Sequence, residues 1–139
     1  MAALTARYLA DKSALARSSI AAVAARLRPL LDEGAIATCA IVDLEILYSA
    51  QSFADYEAIR TERDAFHDVP ITPTVTRRAV EVQHALARRG EHRLPIPDLL
   101  IAAAAESASL WVLHYDADYE RIADVTGQPH EWVVPRGSL

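Results

Sequence analysis

Residues 97–116 read Pro-Asp-Leu-Leu-Ile-Ala-Ala-Ala-Ala-Glu-Ser-Ala-Ser-Leu-Trp-Val-Leu-His-Tyr-Asp, and this run decides the architecture. Leu99 to Ala108 is apolar or small nearly all round, the pattern of a helix buried on every side. Leu110 to His114 is rich in strand formers and fits an interior strand. A buried helix followed at once by a buried strand is the repeating unit of an α/β sheet. The run closes on an acid, Asp116, at the carboxyl end of its strand.

The rest of the chain follows the same alternation. Tyr8-Leu9-Ala10 predicts a short strand leading into Asp11. Ser18 or Ser19 can cap a helix through Ile20, Val23, Ala24 and Leu27, which Pro29 kinks or restarts and Gly34 ends. Ile36-Ala37-Thr38 predicts a second strand, then a helix holding Val42, Glu45, Ile46 and Tyr48. Phe53 to Phe66 predicts an amphipathic helix, and Val69 to Ile71 a strand. Thr74 caps a helix with the stripe Val75, Ala79, Val82 and Leu86. Gly90 to Pro97 is a loop, and Trp132-Val133-Val134 a last edge strand. The expectation is one α/β domain over residues 1–139, a parallel sheet with helices on both faces. Ligands of such sheets sit at strand carboxyl ends, where Asp11 and Asp116 fall.

The composition is globular, with 52% hydrophobic and 24% charged residues. Cys39, the one cysteine, lies in an apolar run and reads as a buried thiol. A secretion signal and a membrane span are both missing from the pattern, which places the expected site of action in the cytoplasm. A net charge of −5 argues against broad electrostatic binding to DNA, yet leaves RNA open. Lys12 is the only lysine, and the bias to arginine fits either phosphate recognition or a GC-rich genome.

The informative feature is a set of acids inside segments that should otherwise be core: Asp11, Glu45, Asp98 and Asp116. A buried carboxylate needs a partner, a proton or a metal. Each has a plainer reading alone. Asp98 beside Pro97 could cap a helix, Glu45 could be solvated, Asp116 and Asp118 could be turn residues, and Asp11 could pair with Lys12 or Arg17. Asp43 and Glu45 point roughly 200° apart on a helix, so only one can face a pocket. Together the four acids fit a hard-cation site, since Mg²⁺ prefers carboxylate and water oxygens. The five histidines are scattered, and His114 lies nearest the acids. Ser13 has no histidine at a telling spacing, so it reads as a hydrogen-bond partner of a carboxylate or a metal-bound water rather than a nucleophile. Arg17 and the Arg88-Arg89 pair are the candidates for phosphate contact.

Taken in order, Asp11 in Leu-Ala-Asp-Lys-Ser-Ala-Leu, Glu45 in Val-Asp-Leu-Glu-Ile-Leu-Tyr-Ser-Ala, Asp98 in Pro-Ile-Pro-Asp-Leu-Leu-Ile-Ala and Asp116 in Leu-His-Tyr-Asp-Ala-Asp-Tyr-Glu resemble the PIN-domain family. More narrowly, the chain resembles VapC-type toxins of bacterial toxin–antitoxin pairs, from about Tyr8 to Val134. The resemblance implies a Rossmann-like sheet and an endoribonuclease dependent on Mg²⁺ or Mn²⁺. It also implies structured RNA (tRNA or ribosomal RNA) as substrate, a homodimer or a toxin–antitoxin hetero-oligomer, and inhibition by a cognate antitoxin. It makes Asp11 and Asp98 metal ligands, with Glu45 and Asp116 completing the acidic quartet and Asp118 an alternative for the fourth place. Lys12 departs from the small polar residue common at its position. A phosphatase or a receiver domain would need a different spacing of acids after the first strand. The alternative of another class is a non-catalytic binding module whose acidic pocket receives a basic partner segment.

Overall fold

The computed structural model describes residues 6–139. Five strands, β1 (Tyr8–Ala10), β2 (Ile36–Thr38), β3 (His67–Asp68), β4 (Trp111–His114) and β5 (His130–Trp132), form one sheet in the order β3-β2-β1-β4-β5. Every pairing is parallel, with Leu9 opposite both Ala37 and Val112. The connecting helices are α1 (Lys12–Leu15), α2 (Ala21–Asp32), α3 (Ala40–Tyr48), α4 (Phe53–Asp64), α5 (Pro73–Ala87), α6 (Ile96–Ser107) and α7 (Asp118–Thr126).

Both faces of the sheet are covered, and the side chains along each strand alternate between two cores. Leu9, Ala37 and Val112 enter one core with Val42, Val75, Val82, Leu86, Ile101 and Ile122 from α3, α5, α6 and α7. Ala10, Ile36 and Leu113 enter the other with Ala14, Val23, Leu27 and Leu30 from α1 and α2. Each fully buried Leu, Ile or Val contributes roughly 1.5–3 kcal/mol. The α/β reading of the sequence therefore holds, including the buried helix and strand of residues 99–114.

Several boundaries differ from the sequence reading. Neither Ser18 nor Ser19 caps α2: Ile20 occupies the cap position without a side-chain bond, because Ser18 is held in the turn after α1 by its N–H to Leu15 O (3.2 Å). Pro29 lies inside α2, which runs on to Asp32. Gly34 then adopts a left-handed φ of 67° that a side chain would resist. β3 falls two residues earlier than Val69–Ile71, since Pro70 has no N–H to extend the ladder. Thr72 rather than Thr74 caps α5, accepting from Val75 N at 3.2 Å, with Pro73 at the first helical position. α6 begins at Ile96, within the expected loop, so Asp98 lies in its first turn and is not its cap. β5 precedes Val133 and Val134, which are buried by packing in the second core. α7 was not expected at all; Tyr119 and Ile122 are its buried stripe and Gly127 its left-handed end.

Chain order runs from β1 through β2 to β3 on one side, then returns to β4 and β5 on the other. The crevice between the carboxyl ends of β1 and β4 is thus the topological switch point.

Candidate active site

Asp11 immediately follows β1, and its N–H still bonds Leu113 O at 2.9 Å, so the sheet fixes its backbone. Its carboxylate caps α1, accepting Ser13 N–H at 3.0 Å on Oδ2, while Oδ1 accepts the Tyr119 hydroxyl at 3.0 Å. The same hydroxyl lies 3.5 Å from Asp98 Oδ1. A phenol has one proton to give, and the shorter contact assigns it to Asp11. Asp98 Oδ2 is buried with no hydrogen-bond partner.

Asp98 is where the acids converge. Burial first, and then the charges of Asp11, Asp116, Asp118 and Glu45, push its carboxyl up to about 8. Its place at the start of α6 favours a negative charge by only about 0.3–1 kcal/mol, too little to offset four acidic neighbours. Carboxylate oxygens of Asp98, Asp116 and Asp118 lie within 4.8 Å of one another.

Asp116 and Asp118 stand after β4. Asp116 Oδ1 accepts Asp118 N–H at 2.9 Å, a short turn that points both side chains inward. Asp118 is raised by burial and by Asp116, with Arg121 acting against them through an ion pair at 3.1 Å. Glu45 approaches from α3. Its Oε1 is buried without a partner, and burial and Asp11 raise its carboxyl while Lys12 lowers it. Asp43 faces away: its Oδ1 accepts from Arg63 Nε at 2.9 Å and from Thr38 Oγ1 at 2.8 Å.

Of the other residues singled out in the sequence, Ser13 meets the acids through its backbone N–H. Its hydroxyl oxygen instead accepts Tyr115 N–H at 2.9 Å, tying α1 to the segment after β4. Arg17 folds back on Ser13 O (2.7 Å) and lies over the Tyr115 ring. Arg88 is exposed just past α5, and Arg89 beside it is paired with Glu91 and Asp124.

Two contributors were not read from sequence as parts of the site. Tyr119 is one; its position three residues after Asp116, on the buried stripe of an unrecognised helix, was the available signal. The other is the pairing of His114 with His130. His114 is fully buried, and its Nδ1 accepts Asp116 N–H at 3.0 Å. The imidazole must therefore carry its proton on Nε2, which faces His130 Nδ1 at 2.8 Å. Burial, and then His130, hold His114 down to about 3, so it stays neutral and anchors the Asp116 backbone.

The acids offer hard oxygen donors, without a sulfur among them, and two buried oxygens (Asp98 Oδ2 and Glu45 Oε1) have no donor. That donor set fits a hard divalent cation better than zinc.

The family model of the PIN domain matches residues 8–125. The chain is 50% identical over 137 residues to Ribonuclease VapC21 of Mycobacterium tuberculosis, covering 97% of this chain and 99% of that one. Among solved structures, DNA-bound VapBC from Salmonella typhimurium shares the fold with a TM-score of 0.76 at 16% identity, covering 93% of this chain and 99% of that one. VapBC-5 from Mycobacterium tuberculosis, a member of the VapBC family of toxin–antitoxin systems, matches at 25% identity with a TM-score of 0.63, covering 92% and 97%.

Proposed function

The chain belongs to the PIN domain family, and from that premise we propose that it is an endoribonuclease dependent on Mg²⁺ or Mn²⁺, the toxin of a toxin–antitoxin pair. On this reading it cuts structured RNA, tRNA or ribosomal RNA, in the cytoplasm, is neutralised by a cognate antitoxin, and assembles as a homodimer or with that antitoxin. Among the described residues no helix is long and apolar enough to cross a membrane. The observation that carries the reading is Asp98, buried with a partnerless Oδ2 amid four other acids. Clustered carboxylates with strongly shifted protonation concentrate at sites that serve a ligand or a reaction.

Asp11 and Asp98 would hold the cation, with Asp116 and Asp118 at the open side. A divalent ion there supplies charge to a scissile phosphate and acidifies an attacking water. The chain's own part is orientation and proton transfer. Tyr119 and Ser13 N–H fix Asp11, and His114 and Asp118 N–H fix Asp116. Glu45 Oε1, raised toward neutrality and free of a donor, is placed to take a proton from water. Lys12 beside Glu45 and the exposed Arg88 are the cations we assign to phosphate contact, with Arg17 and Arg89 available once their present partners are exchanged.

The test is cleavage of total RNA with Mg²⁺ by the wild-type chain and by Asp98→Asn. Cutting that disappears in the variant supports the reading. Equal cutting by both would overturn the site, and binding of a basic partner without cutting by either would leave the non-catalytic module.

A further inference from the structure

Among the described Phe, Trp and Tyr side chains, three are strongly exposed: Tyr48 (90%), Phe53 (79%) and Trp111 (47%). The first two occupy one corner of the molecule, at the end of α3 and the start of α4. Tyr48 is shared by two shallow recesses. One, of about 310 Å³, is also lined by Lys12, Leu44 and Glu45. The other, of about 570 Å³, is also lined by Leu47, Ala50, Gln51, Ser52, Phe53 and Tyr56. A single ring thus separates the recess that Glu45 and Lys12 line from a neighbouring hollow with two further aromatic rings.

We propose that Tyr48, with Phe53 beyond it, is a stacking platform for an unpaired RNA base next to the scissile phosphate, with Lys12 holding the adjoining phosphate. This rests on the ribonuclease reading and adds to it the side chain that holds a base beside the cut. A base sandwiched in a duplex cannot offer its face to a side chain, whereas a splayed base can. Every base has a π-face, so an exposed aromatic serves any sequence. The chemistry of the rim favours a nucleotide over a protein helix. The apolar groups are interrupted by Lys12, Glu45, Gln51 and Ser52, and a desolvated protein interface is depleted of charge at its centre. Lys12 is also the one lysine of a chain with net charge −5, and it lines the same recess as Glu45, where a phosphate needs a counter-charge.

The experiment uses the Asp98→Asn chain, which should bind without cutting, and a fluorescein-labelled short single-stranded RNA of mixed sequence alongside the same sequence as a duplex. We expect tighter binding of the single strand at equal salt. Adding Tyr48→Ala should weaken single-strand binding roughly ten- to a hundred-fold, the loss of one stacked base. Tyr48→Phe should restore it, and thermal melting and oligomeric mass should not change. Single-strand affinity unaffected by Tyr48→Ala would overturn the proposal. So would a changed oligomeric mass with intact RNA affinity, which would make this corner a protein contact. Failure of the ribonuclease reading looks different: the wild-type chain would then cut no RNA, whatever Tyr48 does to binding.

Discussion

Arg63 Nε donates to Asp43 Oδ1 at 2.9 Å, and this bond turns one of the two acids of α3 away from the pocket that the other enters. Arg63 is buried, also donates to Thr38 Oγ1 at 2.7 Å, and lies over the Phe66 ring. The two acids therefore have separable roles. Asp43→Ala leaves a buried guanidinium without its counter-charge and should cost about 1–3 kcal/mol of stability, with cleavage per folded molecule retained. Glu45→Gln should leave the melting temperature equal or higher and lower the cleavage rate by roughly a hundred-fold or more. Denaturant unfolding and single-turnover cleavage of both variants check this; equal rate losses at equal fold would reverse the assignment.

Cleavage should require a divalent cation. In chelator, with metal removal verified, activity should vanish and return with Mg²⁺ or Mn²⁺, since the clustered oxygens of Asp98, Asp116 and Asp118 are hard carboxylate donors. Zn²⁺ should substitute poorly for want of imidazole or thiolate ligands. Full activity after verified metal removal would dismiss the carboxylates as ligands.

The sequence made the fold legible where the patterns were long: the buried helix before β4, the stripe of α5, and strands flanked by acids. It failed where a local rule lost to a neighbour. Val69 and Ile71 resemble a strand, but Pro70 ends the ladder at Asp68. Val133 and Val134 are buried as side chains beyond the end of β5. The acids were legible because carboxylates are conspicuous in apolar company. Their supports were not, since Tyr119 looks like any core aromatic until α7 turns its hydroxyl between Asp11 and Asp98. Asp116 and Asp118, alternatives for the fourth place in the sequence, both bring a carboxylate oxygen within 4.8 Å of one of Asp98.

Tyr119→Phe isolates that hydroxyl, because the ring keeps its packing. Asp11 Oδ1 then loses its donor while remaining buried. The expected cost to metal-free stability is about 1–2 kcal/mol. Affinity for Mg²⁺, read from the metal dependence of the melting temperature, should weaken about ten-fold, as when other outer-sphere partners are lost. An unchanged metal response would reduce Tyr119 to a core residue.

The last prediction joins charge, pH and metal at Asp98. Its folded value, raised from 3.8 to about 8, makes its contribution to stability greatest below pH 4 and progressively lost as pH rises to about 8. His114 acts oppositely: lowered from 6.5 to about 3, it costs stability as pH falls from 6.5 toward 3. The two slopes oppose each other below pH 6.5, so from 6.5 to 8 the fall is left to the raised acids, and the Asp98→Asn comparison separates the share of Asp98. There the metal-free chain should melt lower as pH rises, and Asp98→Asn should remove much of that fall. Near pH 7 the metal-free variant should melt at or above the wild type, by a few degrees for each ~1 kcal/mol of relieved repulsion. With Mg²⁺ the order should invert, because the wild type gains stability by binding and the variant has lost a ligand. If Asp98 instead served only the first turn of α6, asparagine would forfeit about 0.3–1 kcal/mol of charge–dipole interaction, and the shift on adding Mg²⁺ would survive the substitution. Melts of both chains from pH 6.5 to 8, with and without Mg²⁺, separate these outcomes, and an undiminished Mg²⁺ shift in Asp98→Asn would take Asp98 out of the metal site.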